Sequence, residues 1–185
     1  LNKEEEELTA KIGDKVEAFD DEAPIDTVLG VEIFPVIHLK TKEKILEKTK
    51  GVSEWATLHI RRGDYSNFPD VFVDLCSTDY YKNALSHVES SIVYIVTNDV
   101  EWSKEWVSEN LAETGFEFRW TNENEIFDLY LMSMAKECII ANSSFSWWGS
   151  WLGHDKKVLA PAEWFCDGHE FTAEDTYPQN CIRIK

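Results

Sequence analysis

The segment WATLHI, residues 55–60, marks the point at which the sequence becomes regular. From here on, short apolar runs alternate with amphipathic stretches, a pattern typical of βαβ units and of a parallel sheet. The predicted strands are WATLHI, SIVYIVT, FEFRW, CIIAN and KVLAP. The predicted helices between them are STDYYKNALSHVES, DVEWSKEWVSENLAET, NENEIFDLYLMSMAK and SFSWWGSWLG. The sequence therefore predicts an α/β fold built around a parallel sheet.

Capping residues mark the start of two of these helices. Asn98 or Asp99 is placed to cap the second helix, since both residue types favour that position. Asn122 is followed three residues later by Glu125, which is the spacing of a capping box. We therefore expect Asn122 to cap the third helix.

The first 50 residues lack this regularity. Residues 1–23, with EEEE and FDDEA, predict a charged helix and a loop. GVEIFPVIHLK (30–40) predicts an extended piece, and KEKILEKTK (42–50) predicts a short helix. We therefore expect an N-terminal charged and helical segment over residues 1–50 and a separate domain over residues 51–185.

Length and composition indicate a globular chain, and its charge argues against strongly anionic macromolecules or membranes as partners. With 185 residues, 43% of them hydrophobic, the chain can bury a sizeable core. The formal net charge is −17, from 35 acidic and 18 basic residues, which argues against nucleic acid or an anionic membrane as a partner. Any anion must therefore bind at a local, preorganised site.

Nothing in the sequence predicts a membrane span, because no apolar run approaches the roughly 20 residues that a bilayer requires. The four cysteines are scattered, without CxxC or His-linked metal spacing, and Cys138 lies in an apolar run as a predicted buried free thiol. These features favour a reduced, cytoplasmic setting, with peripheral membrane association as an alternative.

Two arginines follow directly on the first predicted strand. Ligands of open α/β sheets bind outside the carboxyl ends of the strands, and His59, Arg61, Arg62, Gly63 and Asp64 lie at or just past such an end. A guanidinium grips a phosphate through two parallel hydrogen bonds. Because successive side chains point to opposite sides, we expect one arginine on a ligand and the other paired with a carboxylate such as Asp64. The alternatives are a surface salt-bridge cluster and an integrin-type Arg-Gly-Asp tripeptide.

A second candidate segment is CIIANSSFSWWGSWLG, residues 138–153, in which small hydroxyl residues separate an apolar strand from an aromatic helix. Free N–H groups at a helix N-terminus, joined by the hydroxyls of Ser143, Ser144 and Ser146, would form an anion seat that suits a diphosphate. Plain N-capping by one serine is the alternative. The helix also carries tryptophans that we expect in the core rather than on a sugar, namely Trp147, Trp148 and Trp151.

Asp128 is the third candidate, because it lies within an otherwise apolar predicted helix. Such a carboxylate is costly to bury without a partner. It could accept two hydrogen bonds from the N1 and N2 edge of guanine, or it could cap a neighbouring element. The chain has no GxxxxGK(S/T), GxGxxG or DxD motif. An anion site built from arginine and helix N–H groups would need no metal.

These segments resemble a known family. HIRRGDY (59–65) resembles the HxRRGDY motif of glycosyltransferase family 11, the α-1,2-fucosyltransferases. DLYLMSMAKECIIANSSFSWWGSWL (128–152) is similar to the second hallmark of that family, and VLAPAEWF (158–165) to the segment after it. The resemblance implies a Rossmann-like domain, the nucleotide-sugar-binding half of a GT-B fold. It further implies GDP-β-L-fucose as the donor, a galactoside-containing glycan as the acceptor, and no metal or other cofactor.

The resemblance also implies roles for individual residues. Arg61 would bind the β-phosphate, His59 would lie near the nucleotide, and Asp128 would meet guanine. The diphosphate would be lined by Ser143, Ser144 and Ser146. Arg61 and Arg62 would stabilise the charge on departing GDP, and candidates for the general base are Asp64, Asp70 and Asp74.

One departure from the family concerns the front of the chain. Family members usually begin with a strand and a GGLGNQ-like turn well before the arginine motif, and this chain has neither. We therefore expect residues 1–50 to be a remnant of the acceptor-side region. The alternative to an active transferase is a catalytically silent nucleotide-sugar-binding fragment or partner subunit.

Overall fold

The computed structural model describes residues 35–153, 156–168, 173, 177 and 181–185. The chain divides into two compact units, Leu1–Lys44 and Ile45–Lys185. The charged helix and loop predicted for residues 1–23 lie outside the described residues. The proposed boundary at residue 50 and the remnant character of the front segment stay predictions.

The strands of the described residues are β1 (Ala56–Ile60), β2 (Ile92–Thr97), β3 (Glu117–Trp120), β4 (Glu137–Ile139), β5 (Lys157–Pro161) and β6 (Ile182–Ile184). Their α-helices are α1 (Pro35–Lys48), α2 (Tyr80–Leu85), α3 (Val100–Asn110), α4 (Glu125–Met134) and α5 (Ser144–Trp151). Short 3-10 helices lie at Gly63–Asn67, Leu75–Ser77 and Ala112–Thr114. All five predicted strands are present, and β6 is an addition.

The six strands form one parallel sheet in the order β3-β2-β1-β4-β5-β6. This is the strand order of a Rossmann fold, so the Rossmann-like parallel sheet is confirmed. The order reverses between β1 and β4, which are hydrogen-bonded neighbours. That reversal is the topological switch point, where sheets of this kind bind their ligands.

Two local predictions are wrong. Residues 35–40, expected to be extended, form the start of α1, which begins at Pro35; proline suits the first turn of a helix because its missing N–H has no helical partner there. The cap of α4 is Asn124, whose side chain accepts a hydrogen bond from the Phe127 N–H at 2.9 Å. Asn122 instead adopts a left-handed conformation with φ of 51°, which takes it out of the cap.

Apolar side chains cover both faces of the sheet, as parallel strands require. Leu58 and Ile60 of β1 belong to a cluster that includes α2 and α3. Tyr94 and Cys138 belong to a second cluster on the other face, which includes α4. Cys138 is fully buried and unbridged, which confirms the predicted free thiol. By the alternation of a strand, His59 lies on this second face.

Helices α4 and α5 pack closely because Gly149 has no side chain. A Cβ atom at Gly149 would lie 2.8 Å from Cβ and 2.9 Å from Sδ of Met132 on α4.

We expect Gly149→Ala to lower the free energy of unfolding by about 1–3 kcal/mol, the usual effect of overpacking, measured by urea denaturation. Helix propensity alone favours alanine over glycine by about 1 kcal/mol. Equal or higher stability of the variant would therefore contradict this packing.

Candidate functional site

The candidate site lies at the switch point, where the carboxyl ends of β1 and β4 are adjacent. In the register of the two strands, Leu58 pairs with Ile139. The loop after β1 and the turn after β4 therefore meet, and the Tyr65 hydroxyl donates to the Asn142 carbonyl at 3.0 Å across 77 residues of sequence. The two predicted anion-binding segments are thus brought to one edge of the sheet.

A cleft of about 200 Å³ opens beside these two segments. The side chains that line it include Arg61, Arg62, Tyr65, Phe72, Asp74 and Asn142. One wall is aromatic, since the rings of Tyr65 and Phe72 are stacked with centroids 4.2 Å apart. The cleft therefore combines positive charge, a carboxylate and an apolar stacking surface.

The two arginines contact different aromatic rings, although both line the cleft. The Arg61 guanidinium carbon lies 5.3 Å from the centroid of Tyr65 in the loop after β1. The Arg62 guanidinium carbon lies 3.9 Å from the centroid of Trp102 on α3, the helix after β2. The partner seen for Arg62 is thus an aromatic ring. The side chain of Asp64, the carboxylate suggested for this pairing, lies outside the described part of the chain.

His59 is buried near the start of α5. Its ring centroid lies 5.5 Å from that of Phe145. Burial, and then the positive charge of Arg61, lower the pKa of His59 to about 3, so the ring is neutral at physiological pH. The Nδ1 atom is buried and finds no hydrogen-bond partner among the described residues.

The three serines of the turn after β4 occupy different environments. Ser143 is the N-cap of α5 and is buried, but its side chain makes no capping hydrogen bond. Ser144 is exposed at the first helical position. The Ser146 hydroxyl is fully buried and accepts a hydrogen bond from the Ala141 N–H at 3.1 Å, so it joins the end of β4 to the helix. Ser144 is therefore the serine that faces solvent.

Asp128 lies in the first turn of α4, away from the residues that line the cleft. Its Oδ1 accepts a hydrogen bond from the Thr121 hydroxyl at 2.7 Å, so the carboxylate is tied to the residue after β3. Burial raises the pKa of Asp128 to about 6. The Thr121 hydrogen bond and the charge of Lys48 oppose this shift, while Glu123 and Glu125 reinforce it. At neutral pH this carboxylate is thus ionised against a penalty of burial.

Asn142 lines the cleft, but the sequence analysis did not single it out as a site residue. Its Nδ2 donates to the carbonyls of Val73 and Trp164, both at 3.0 Å. It thereby ties the end of β4 to the loop that carries Asp74. The signal was present, since Asn142 is the polar last residue of the predicted strand CIIAN, at the carboxyl edge of the sheet. Trp102, the partner of Arg62, gave no such signal because its role depends on how α3 packs.

The candidate bases and the tryptophans also differ in position. Asp74 lines the cleft, and its Oδ1 accepts from the Cys76 N–H at 3.1 Å; Asp70 is exposed and is not among the lining residues. Trp147 packs on the second core cluster. Trp148 and Trp151 are 46% and 49% exposed. Core packing was therefore the wrong prediction for these two, which lie on the outward side of α5.

The described residues carry neither a cluster of metal ligands nor a membrane-spanning helix. Among them, no three His, Cys, Asp or Glu side chains cluster as metal ligands would. None of the helices described has the length and apolar character to cross a bilayer.

Comparisons with known proteins indicate one family for this chain. The family model described as Glycosyl transferase family 11 matches residues 32–185. The chain is 34% identical over 163 residues to an α-1,2-colitosyltransferase of Escherichia coli, an alignment that covers 83% of this chain and 56% of that protein. It is 35% identical over 126 residues to the O-antigen biosynthesis glycosyltransferase WbnK of Escherichia coli, covering 62% and 40%. The chain thus spans about half the length of these relatives.

A solved structure of POFUT1 in complex with GDP-fucose also aligns with the chain. The TM-score is 0.38 at 11% identity, and the alignment covers 54% of this chain and 38% of that one. A likeness of this size has no bearing on function.

The raised pKa of Asp128 makes stability depend on pH. Its folded pKa of about 6 exceeds the ordinary value of 3.8, so the stability that it contributes is complete below pH 3.8 and is lost as the pH rises through 6. We expect Asp128→Asn to be more stable than wild type at pH 7.5, by on the order of 2 kcal/mol, and to lose this advantage at pH 4. Urea denaturation at both values checks this. The exposed control Asp70→Asn should follow wild type at both, and a pH-independent offset for Asp128→Asn would contradict the assignment.

Proposed function

Since the chain belongs to glycosyltransferase family 11, we propose that it is the donor-binding domain of an inverting glycosyltransferase. The reaction proposed is transfer of L-fucose from GDP-β-L-fucose to the 2-hydroxyl of a galactoside. The observation that carries the proposal is that Arg61, from the loop after β1, and Asn142, from the turn before α5, line one cleft of about 200 Å³ at the switch point. This is where a Rossmann-like domain binds a nucleotide.

The diphosphate is proposed to lie between Arg61 and the start of α5. A guanidinium and free helix N–H groups both favour oxyanions, and the exposed Ser144 hydroxyl adds a donor. Ser146 has its hydroxyl bonded to the Ala141 backbone, so its contribution is to shape the turn. The neutral ring of His59 is buried next to Phe145, close to the start of α5.

Guanine is proposed to reach Asp128. The carboxylate follows β3, which is two strands from β1 in the sheet, a spacing of roughly 10 Å. An extended nucleoside diphosphate can bridge such a span. One carboxylate oxygen accepts a hydrogen bond from the Thr121 hydroxyl, and we propose that the group receives the N1 and N2 edge of guanine in this orientation.

The proposed chemistry is a single in-line displacement. Transfer from a β-linked donor to an α-linked product inverts the anomeric centre and passes through an oxocarbenium-like state. Negative charge then grows on GDP, and Arg61 would stabilise it more in the transition state than in the ground state. Asp74 is supported as the general base because it lines the same cleft as Arg61; Asp64 is the other candidate near the arginine loop.

There are two alternatives to this proposal. The similarity to an α-1,2-colitosyltransferase makes GDP-colitose a second candidate donor, to be compared directly with GDP-fucose. The second candidate function is that of a catalytically silent nucleotide-sugar-binding fragment or partner subunit. Release of GDP from each donor, with and without a β-galactoside acceptor, separates these cases, because a silent fragment binds GDP but releases none from the donor.

The proposed donor site uses arginine and N–H groups, so we expect binding without metal. Calorimetric titration of the chain with GDP should give the same affinity with and without EDTA. ADP should bind about tenfold or more weakly, because adenine cannot satisfy the Asp128 carboxylate. Loss of GDP binding in EDTA would contradict the metal-free site, and equal affinities for GDP and ADP would contradict the role of Asp128.

Arg61 is expected to carry the largest single effect. Arg61→Ala should reduce the rate of GDP release in the acceptor-dependent reaction by about a hundred- to a thousandfold and weaken GDP binding, with an unchanged melting temperature. The matched control is Arg183→Ala, which removes an exposed arginine that stacks on Tyr177 from the far edge strand β6. A near-normal rate for Arg61→Ala would remove Arg61 from the site.

A further inference from the structure

The backbone of the arginine loop is held by a side chain from the neighbouring strand. Asn98 directly follows β2, and the pairing of Ile60 with Thr97 places it beside the residues that follow β1. Its Oδ1 accepts a hydrogen bond from the Arg62 N–H at 3.0 Å, and its Nδ2 donates to the Arg62 carbonyl at 3.3 Å. Both backbone groups of Arg62 are therefore fixed by a single amide.

Gly63 leaves the space that this amide needs. Its φ of 72° lies in the left-handed region that favours glycine. A Cβ atom at Gly63 would lie 2.7 Å from Nδ2 of Asn98. The glycine of the Arg-Gly-Asp sequence thus has a structural reason within the fold, namely to admit Asn98.

The side chain of Arg62 is held by a second group from the same region. Trp102 lies one turn into α3, where Asp99 accepts a hydrogen bond from its N–H at 3.3 Å as the helix cap. The Trp102 ring is stacked on Trp106 with centroids 6.1 Å apart, and the Trp106 indole donates to the Cys76 carbonyl at 3.1 Å. The stack with Trp106 therefore holds the Trp102 ring in place. The Arg62 guanidinium carbon lies 3.9 Å from the centroid of that ring, within range of a cation–π interaction.

We propose that Asn98 and Trp102 are positioning residues for the donor-site arginine. The two guanidinium groups lie against different rings, that of Arg62 on Trp102 and that of Arg61 near Tyr65, although both side chains line the cleft. Fixing Arg62 by its backbone and its side chain keeps Arg61 beside Tyr65, whose hydroxyl donates to the Asn142 carbonyl ahead of α5, where the diphosphate is proposed to bind. In this division Arg61 contacts the ligand, and Arg62 orients Arg61. The inference rests on the proposed function.

The test compares GDP with GMP, since only GDP has the β-phosphate assigned to Arg61. Calorimetric titrations use the full chain as wild type, Asn98→Ala and Trp102→Leu. Each variant should raise the Kd for GDP by about tenfold, from the loss of two hydrogen bonds or of one cation–π contact, and leave the Kd for GMP unchanged. The ratio of the two affinities is the informative quantity, because general damage to the domain would weaken both ligands alike.

Matched controls sharpen the comparison. Asn110→Ala removes an exposed asparagine from the other end of α3, where its Nδ2 donates to the Trp106 carbonyl of the same helix; it should keep the wild-type ratio. Trp102→Phe keeps an aromatic face under Arg62 and should recover most of the ratio lost in Trp102→Leu. Because Asn98 is exposed, Asn98→Ala provides the test even if Trp102→Leu does not fold.

The outcomes separate the positioning role from the donor site. A wild-type ratio in Asn98→Ala and Trp102→Leu overturns the inference and leaves the donor site in place. Equal losses for GDP and GMP also overturn it, since they indicate a general structural role. A wild-type chain that binds neither nucleotide overturns the donor site and the positioning role together.

Discussion

The hydrogen-bonded pairing of β1 with β4 is the constraint on which the site depends. The pairing of Thr57 with Cys138 and of Leu58 with Ile139 aligns the ends of two strands that are far apart in sequence. Because the strands are parallel, both segments that follow them leave the sheet at the same edge. The Tyr65 hydroxyl can then reach the Asn142 carbonyl, and the arginine loop lies beside the start of α5.

Most of the sheet could be predicted from the sequence because β1, β2, β4 and β5 are largely buried and their segments are predominantly apolar. Strand β6 (Ile182–Ile184) could not, since it is only three residues long and two of them are exposed. The start of α4 shows a subtler limit. Asn122 and Asn124 are both residue types that cap helices, and only the conformation of the chain, with Asn122 at φ of 51°, decides which one does so.

At the site, sequence position located the charged groups, but packing decided their partners. The rule that ligands bind after the strands was enough to select Arg61 and Arg62. The ring beneath Arg62 could not be foreseen, because the distance from Arg62 to Trp102 depends on how α3 lies against the sheet. The serines after β4 look alike in sequence, yet Ser144 and Ser146 are two residues apart and therefore lie on opposite sides of the helix. Ser144 is exposed, whereas the buried Ser146 hydroxyl bonds back to the segment after β4.

A chain with a net charge of −17 repels an anionic nucleotide at long range, so binding must come from short-range contacts. The Debye length is about 8 Å at physiological salt, which screens most of the distant carboxylates but not groups in direct contact. A guanidinium and helix N–H groups at the switch point can therefore prevail locally. Asp128 is the exception among the carboxylates, because its side chain is buried and this burial raises its pKa to about 6. Its ionised form destabilises the folded domain, and a ligand that donates two hydrogen bonds to it would offset that penalty.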